Sequence, residues 1–197
     1  MEVLRYLTIT LFVIWCVSEI VISLISAKNK STVSSTGADK FSFFFVWLST
    51  IPPIFFAYLI QTHSIFSNGF GSFSALFPFP GYLGCLFIAF GVTIRLIAFA
   101  TLKQQFTTKV SIIEKHKMVV TGIYKIIRHP AYLGYLVSLL GIGLFLGNWV
   151  GLTALVVLPL VGILYRIRVE ESVLLGYFGS AYQEYANRTK RLLPGVW

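Results

Sequence analysis

Two short polar stretches of this chain combine residue types at spacings that could do chemistry. The first is Arg128-His129-Pro130-Ala131-Tyr132-Leu133-Gly134, which closes a longer polar run beginning at Lys103. Proline at a first helical position is pre-organised, and the helix start leaves free N–H groups suited to an anion or a ligand oxygen. His129 adds an imidazole that could contact a ligand or carry a proton, although a lone histidine more often serves as a structural hydrogen bonder. Tyr132 by itself would be an interfacial belt residue, and Gly122 ahead of Ile123-Tyr124 marks the turn leading into the segment. The second stretch is Arg166-Ile167-Arg168-Val169-Glu170-Glu171. Read as one helix, it puts residues 166 and 170 on one face. A solvated, salt-bridged helix end is the bland interpretation. Scarcity argues against it, because the chain has only seven acidic residues and two of them stand here. A cationic ligand held at a membrane face would need such carboxylates.

The elements that position these stretches follow from composition. Of the 197 residues 56% are hydrophobic and only 12% charged, and the mean hydropathy is +0.81. A soluble domain carries roughly 25% charged residues, so the chain reads as an integral membrane protein. Its net charge of +9 stands mostly in loops beside apolar segments, which suits an anionic leaflet rather than nucleic acid. Cys16 and Cys85 both fall inside apolar segments, so they read as packing residues, neither a disulfide framework nor a metal pair. No metal site is expected, and no CxxC, HExxH, Walker loop or GxGxxG occurs.

Five apolar segments are expected to cross the bilayer, each needing ~20 residues: 4–27, 41–61, 81–102, 132–146 and 149–165. Pro52-Pro53 should kink the second. Gly147-Asn148 joins the last two as a helical hairpin. Beyond Arg166 the chain should continue as polar helix in two pieces around Phe178-Gly179. The fold class is therefore all-α and polytopic, with about five transmembrane helices and a cytosolic C-terminal helical cap. The division is into three N-terminal transmembrane helices over 1–102 and a cofactor-binding, catalytic half over 103–197. The loops at 28–40 and 103–130 and the tail beyond 166 hold nearly all Lys and Arg, while Arg5 is the only basic residue on the other side. That asymmetry places the N-terminus outside and the C-terminus, with the site, in the cytoplasm. Glu19 and Arg95 fall at similar depth in spans one and three, where an unpaired charge is costly, so they are expected to pair.

In combination the motifs resemble the isoprenylcysteine carboxyl methyltransferase family, which includes related phospholipid N-methyltransferases. The resemblance covers roughly the C-terminal half. It rests on Val120-Thr121-Gly122-Ile123-Tyr124, on Arg128 through Gly134, on Arg166 through Glu171, on Phe178-Gly179, Tyr182 and Tyr185, and on Arg191-Leu192-Leu193-Pro194. Ile123 stands where the family often has Pro, and Ala131 where Ser or Met is common.

The resemblance implies S-adenosylmethionine as methyl donor, bound without a Rossmann domain. Carried over residue by residue, the cofactor pocket would include Gly122, Tyr124, His129, Pro130, Tyr132, Gly134, Glu170 and Glu171. The catalytic set would be Arg166, Arg168 and Glu170, with either arginine orienting an acceptor carboxylate as a bidentate pair. The acceptor would be a prenylcysteine-like carboxylate whose lipid tail enters from the bilayer. A phospholipid amine, a small hydrophobic thiol, an NADPH-dependent sterol-type reductase and a non-enzymatic membrane protein remain the competing expectations.

Overall fold

The structure is a computed structural model that describes residues 2–28, 31–33, 37–62, 71–73, 76, 78–105, 112–113 and 118–193. Five apolar helices carry it: α1 (Glu2–Lys28), α2 (Gly37–Thr62), α3 (Phe79–Leu102), α4 (Pro130–Leu146) and α5 (Trp149–Phe178). A short polar helix, α6 (Ser180–Arg188), follows. Three of these, α1, α3 and α5, are long and apolar enough to cross a membrane. Among the described residues, α2 offers the apolar stretch Phe44–Phe56 and α4 the whole of Pro130–Leu146, the latter at the lower limit of about 17 residues. A small antiparallel ribbon that the sequence did not announce pairs β1 (Ser31–Val33) with β2 (Ile112–Ile113). Otherwise the fold is helical, as expected.

Helix boundaries depart from the hydropathy reading mainly where polar residues continue a helix. Helix α2 begins at Gly37, inside the segment expected to be loop, and runs on through Pro52-Pro53. Helix α5 spans 30 residues, or about 45 Å at 1.5 Å per residue. A hydrocarbon core is about 30 Å thick, so the helix is longer than a perpendicular crossing needs, and its charged residues, Arg166 through Glu171, all fall in its second half. The expected hairpin turn is present. Gly147 closes α4 in the left-handed region (φ 69°), and the Asn148 side chain accepts from Val150 N–H at 2.9 Å and Gly151 N–H at 3.3 Å to start α5. Gly179 (φ 56°) breaks the chain between α5 and α6 where Phe178-Gly179 suggested it would. The 63–70 loop and residues 106–111 and 114–117 of the central polar run lie outside the described residues.

Packing runs α1–α3–α4–α5–α2, so the sequence neighbours α1 and α2 stand at opposite ends of the series and scarcely touch. The tightest contact is α3 on α4. A Cβ added at Gly84 would lie 2.6 Å from the Gly141 carbonyl, and one at Gly91 would lie 2.5 Å from the Gly134 carbonyl. Small residues one heptad apart on both helices let the backbones approach, which is how apolar helices associate without a hydrophobic driving force. The core between helices is Ile88, Tyr135, Leu139, Leu155, Ile163 and Ile167. Large apolar side chains cover the outer faces, among them Val13, Val17, Leu48, Leu86 and Val157. So extensive an exposed apolar surface is that of a protein solvated by lipid.

Candidate active site

The start of α4, the end of α5, α6 and the tail behind α6 converge on one place. Pro130 is the first residue of α4 and His129 its N-cap. The tail lies alongside the segment that leads in: Arg128 N–H donates to the Lys190 carbonyl at 2.7 Å, His129 N–H to Arg191 O at 3.0 Å, and Lys190 N–H to Ile126 O at 3.3 Å. This parallel strap fixes the backbone before the helix begins. Leu192 then anchors the tail in the helical core.

Glu171 is held by three donors. Arg128 Nε donates to Oε1 at 2.9 Å, Arg191 Nε to Oε2 at 2.9 Å, and His129 Nε2 lies 3.3 Å from Oε1. Burial works to raise this carboxyl, but the hydrogen bonds from His129, Arg128 and Arg191 outweigh it and hold the group down at about 2. Arg128 also donates to the carbonyls of Ala186 (2.8 Å) and Thr189, so one guanidinium ties the end of α5, the end of α6 and the tail together. Tyr185 OH donates to the Tyr124 carbonyl at 2.8 Å, adding a second tie between α6 and the central segment.

Glu170 faces another way. Its Oε2 accepts from Tyr132 OH at 2.8 Å, and that phenol oxygen accepts from Arg166 Nε at 2.8 Å. The relay Arg166–Tyr132–Glu170 lines a chamber of about 670 Å³, within the range of about 300–1,000 Å³ usual for small-molecule sites. At one end the walls are Tyr124, His129, Glu170, Phe178, Tyr182 and Tyr185. At the other they are apolar and come from α1 and α2, including Trp15, Trp47, Ile51 and Phe55. The chamber therefore joins a charged end near the C-terminal part of α5 to an apolar end between α1 and α2.

Glu19 and Arg95 do pair, as expected from their depth. Arg95 Nη2 donates to Glu19 Oε2 at 2.6 Å, and Arg95 Nε lies against Glu19 Oε1. Arg95 Nη1 also donates to the Ala131 carbonyl at 2.9 Å, and its guanidinium sits 5.2 Å from the Tyr135 ring centroid. Both members of the pair line the chamber between its two ends.

Of the residues singled out from sequence, Tyr124, His129, Tyr132, Arg166 and Glu170 meet at the chamber. Glu171 lies beside it as the structural anchor of the tail. Four others stand outside the chamber lining. Gly134 packs against Gly91 and Arg95 of α3, where a Cβ would be 2.6 Å from a carbonyl, so it serves helix contact rather than a pocket wall. Gly122 supplies the positive φ of 58° that opens the Gly122–Lys125 turn and is exposed. Pro130 is buried and starts the helix without lining the chamber. Arg168 is exposed and turned away from the chamber, because two residues advance a helix by roughly 200°. Sequence reasoning missed Arg128 and Arg191 as the holders of Glu171. The only signal was an unusual density of Arg around it.

Residues 82–176 match the family described as "Isoprenylcysteine carboxyl methyltransferase (ICMT) family". The chain is 32% identical over 120 residues to a rice (Oryza sativa subsp. indica) protein named probable protein-S-isoprenylcysteine O-methyltransferase, covering 60% of this chain and 63% of the relative. It is 36% identical to protein-S-isoprenylcysteine O-methyltransferase B of Arabidopsis thaliana, over 57% of this chain and 58% of the relative. The protein-S-isoprenylcysteine O-methyltransferase of Saccharomyces cerevisiae is also 36% identical, over 58% of this chain and 48% of the relative. The chain thus spans between about half and just under two thirds of these relatives' lengths. The solved structure of a eukaryotic intramembrane Ras methyltransferase aligns with a TM-score of 0.56 at 19% identity, covering 89% of this chain and 60% of that one, and so shares its fold. The matched segment runs from near the start of α3 to near the end of α5 and contains both the glycine-packed helix pair and the Arg166–Tyr132–Glu170 relay; over that segment the chain is similar to the isoprenylcysteine carboxyl methyltransferase family.

Proposed function

We propose that this protein is an integral membrane S-adenosylmethionine-dependent methyltransferase that esterifies the carboxylate of a prenylcysteine-like lipophilic acceptor. The observation that carries the reading is a single chamber with Glu170 and Arg166 at its polar end and an apolar wall from α1 and α2 at the other. An acceptor with a charged head and a lipid tail has that shape. Helices α1 and α2 scarcely touch, and an opening between them would give its tail a way in from the bilayer.

The donor set suits the proposed cofactor. Its sulfonium and ammonium are cationic, and Glu170 presents a carboxylate with only Oε2 engaged, by Tyr132. Tyr124, Phe178 and Tyr185 supply aromatic faces to a cation. Tyr182 OH, buried at this end, has no hydrogen-bond partner among the described residues and is a donor in want of an acceptor. When bound, S-adenosylmethionine would supply an electrophilic methyl group. The protein's task is then to position and desolvate the nucleophile. A carboxylate is already ionised at neutral pH and needs no general base. Arg166, buried and set by Tyr132, would orient it. Burial pushes the Tyr182 phenol up and the Tyr185 phenol up to about 12, so both stay neutral donors at the pH of the reaction.

The distribution of Lys and Arg supports a topology with this polar end and the C-terminus in the cytoplasm and the N-terminus outside. The test is methyl transfer by the purified protein from labelled S-adenosylmethionine to an S-prenylated cysteine, compared with the same compound carrying a carboxamide. Transfer to the acid alone is expected, with an Arg166→Gln variant about a hundredfold lower in kcat/KM, equivalent to ~2.7 kcal/mol. Transfer to neither, with no binding of the methyl donor, overturns the assignment.

A further inference from the structure

Arg168 is left over by the chamber. It stands at the head of a lipid-facing stripe on α5, with Val161, Leu164 and Tyr165 below it and Phe45 of α2 beside it; together these five residues line a groove of about 390 Å³. Val161 lies one heptad before Arg168, about 10 Å below it along the helix. Val157 and Val161 are half exposed on this face. Phe45 and Tyr165 meet edge to face, with ring centroids 6.0 Å apart, and form the wall between α2 and α5.

Among the described residues nothing balances the charge in this groove. No described residue forms an ion pair or hydrogen bond with the Arg168 side chain. The nearby carboxylates are engaged elsewhere, Glu171 by Arg128 and Arg191 and Glu170 by Tyr132. An unpaired guanidinium at the edge of the hydrocarbon core needs an anion, and a planar fork of N–H donors matches phosphate in bidentate geometry. The apolar groove directly beneath specifies what the phosphate is attached to. A free phosphate would leave the Val161–Leu164–Phe45 surface unused, whereas an acyl chain would cover it.

We propose that the α2–α5 groove is a binding site for an anionic phospholipid, its phosphodiester held by Arg168 and one acyl chain lying along Val161, Leu164 and Phe45. The site is on the outside of the bundle, separate from the chamber, and stands whether or not the chamber methylates anything. A bound lipid would cement α2, which packs mainly on α5, to the helix that carries Arg166 and Glu170.

The test uses the full chain in neutral-detergent micelles, with phosphatidylglycerol, phosphatidylcholine or inorganic phosphate added at equal phosphorus concentration. Native mass spectrometry counts retained lipid and thermal unfolding reads the midpoint. Phosphatidylglycerol is expected to be retained and to raise Tm by several degrees, with phosphatidylcholine weaker and inorganic phosphate without effect. Arg168→Gln should lose both retention and shift, Arg168→Lys should keep part, and Arg188→Gln, which removes an exposed cation on α6, should behave as wild type. Val161→Phe fills the groove while leaving Arg168 in place, and it should lose retention too, so the outcome does not hang on the folding of one variant. Equal retention in Arg168→Gln and wild type, equal loss in Arg188→Gln, or a matching shift from inorganic phosphate would each overturn the proposal.

Discussion

Glu170 and Glu171 are adjacent in sequence and carry different loads: Glu171 takes Arg128 Nε on one oxygen and Arg191 Nε on the other, both at 2.9 Å, while Glu170 takes Tyr132 OH at 2.8 Å and faces the chamber. Successive positions on a helix point about 100° apart. One carboxylate can therefore close the protein against its own tail while its neighbour is presented to a ligand.

Substituting the two should separate stability from binding. Glu171→Gln leaves Arg128 and Arg191 without their shared carboxylate, and losing charge-assisted hydrogen bonds costs about 1–3 kcal/mol each. A lower Tm that S-adenosylmethionine does not restore to wild type is the expected result. Glu170→Gln should leave Tm nearly unchanged and weaken the methyl donor by about tenfold, or ~1.4 kcal/mol, in calorimetric titration. Equal Tm losses in the two variants would contradict the division.

The pH dependence has a definite sign. The Glu171 carboxyl in the folded protein lies at about 2, below its ordinary 4.5. Its stabilisation is therefore fully present above the ordinary value and is lost as pH falls through the folded one. Between pH 4.5 and 2 the wild-type Tm should drop more steeply than that of Glu171→Gln. Parallel curves would show that the clamp contributes nothing to acid sensitivity.

Close approach of α3 and α4 makes their glycines unequal to others in the chain. At Gly91 an added methyl would meet Ser138 Oγ at 2.4 Å and the Gly134 carbonyl at 2.5 Å, while at Gly176 it would meet nothing within 4 Å. Gly91→Ala should therefore cost about 1–3 kcal/mol from overpacking. Gly176→Ala, at an exposed helical position, should gain up to about 1 kcal/mol. Thermal unfolding in one detergent reads both, and a neutral Gly91→Ala would rule out the tight contact.

Removing one charge of the Glu19–Arg95 pair leaves the other uncompensated among α1, α3 and α4. Breaking a buried pair this way costs about 3–5 kcal/mol, while replacing both partners with apolar groups is often near neutral. Glu19→Gln is accordingly expected to reduce folded yield sharply, and Glu19→Leu combined with Arg95→Met to recover most of it. A single variant folding as well as wild type would show that the pair is not needed to join these helices.

Much of the fold could be read from residue order because membrane physics leaves few choices. Apolar length and the Gly147-Asn148 turn follow from composition and local backbone preference, and so does the break at Gly179. Glu19 and Arg95 are matched by their depth alone, set by two positions in two spans. The start of α2 at Gly37 and the run of α5 to Phe178 were less visible, because hydropathy marks where a helix leaves the lipid and not where it ends.

The sequence by itself determined that the chain is a helical membrane protein, which family its motifs resemble, and which two short polar stretches supply residues to the chamber's polar end. Those properties rest on local pattern: apolar run length, turn residues and motif spacing. Only the tertiary structure decided how the residues within each stretch divide their roles. Arg166 turned inward to Tyr132 and Arg168 outward, away from the chamber, because helical phase is read relative to neighbours that come from distant parts of the chain. Gly134 proved to be a contact point because Gly91 lies opposite it. Glu171 became an anchor because the tail returns to bring Arg191 beside Arg128, and no spacing along the chain encodes that meeting.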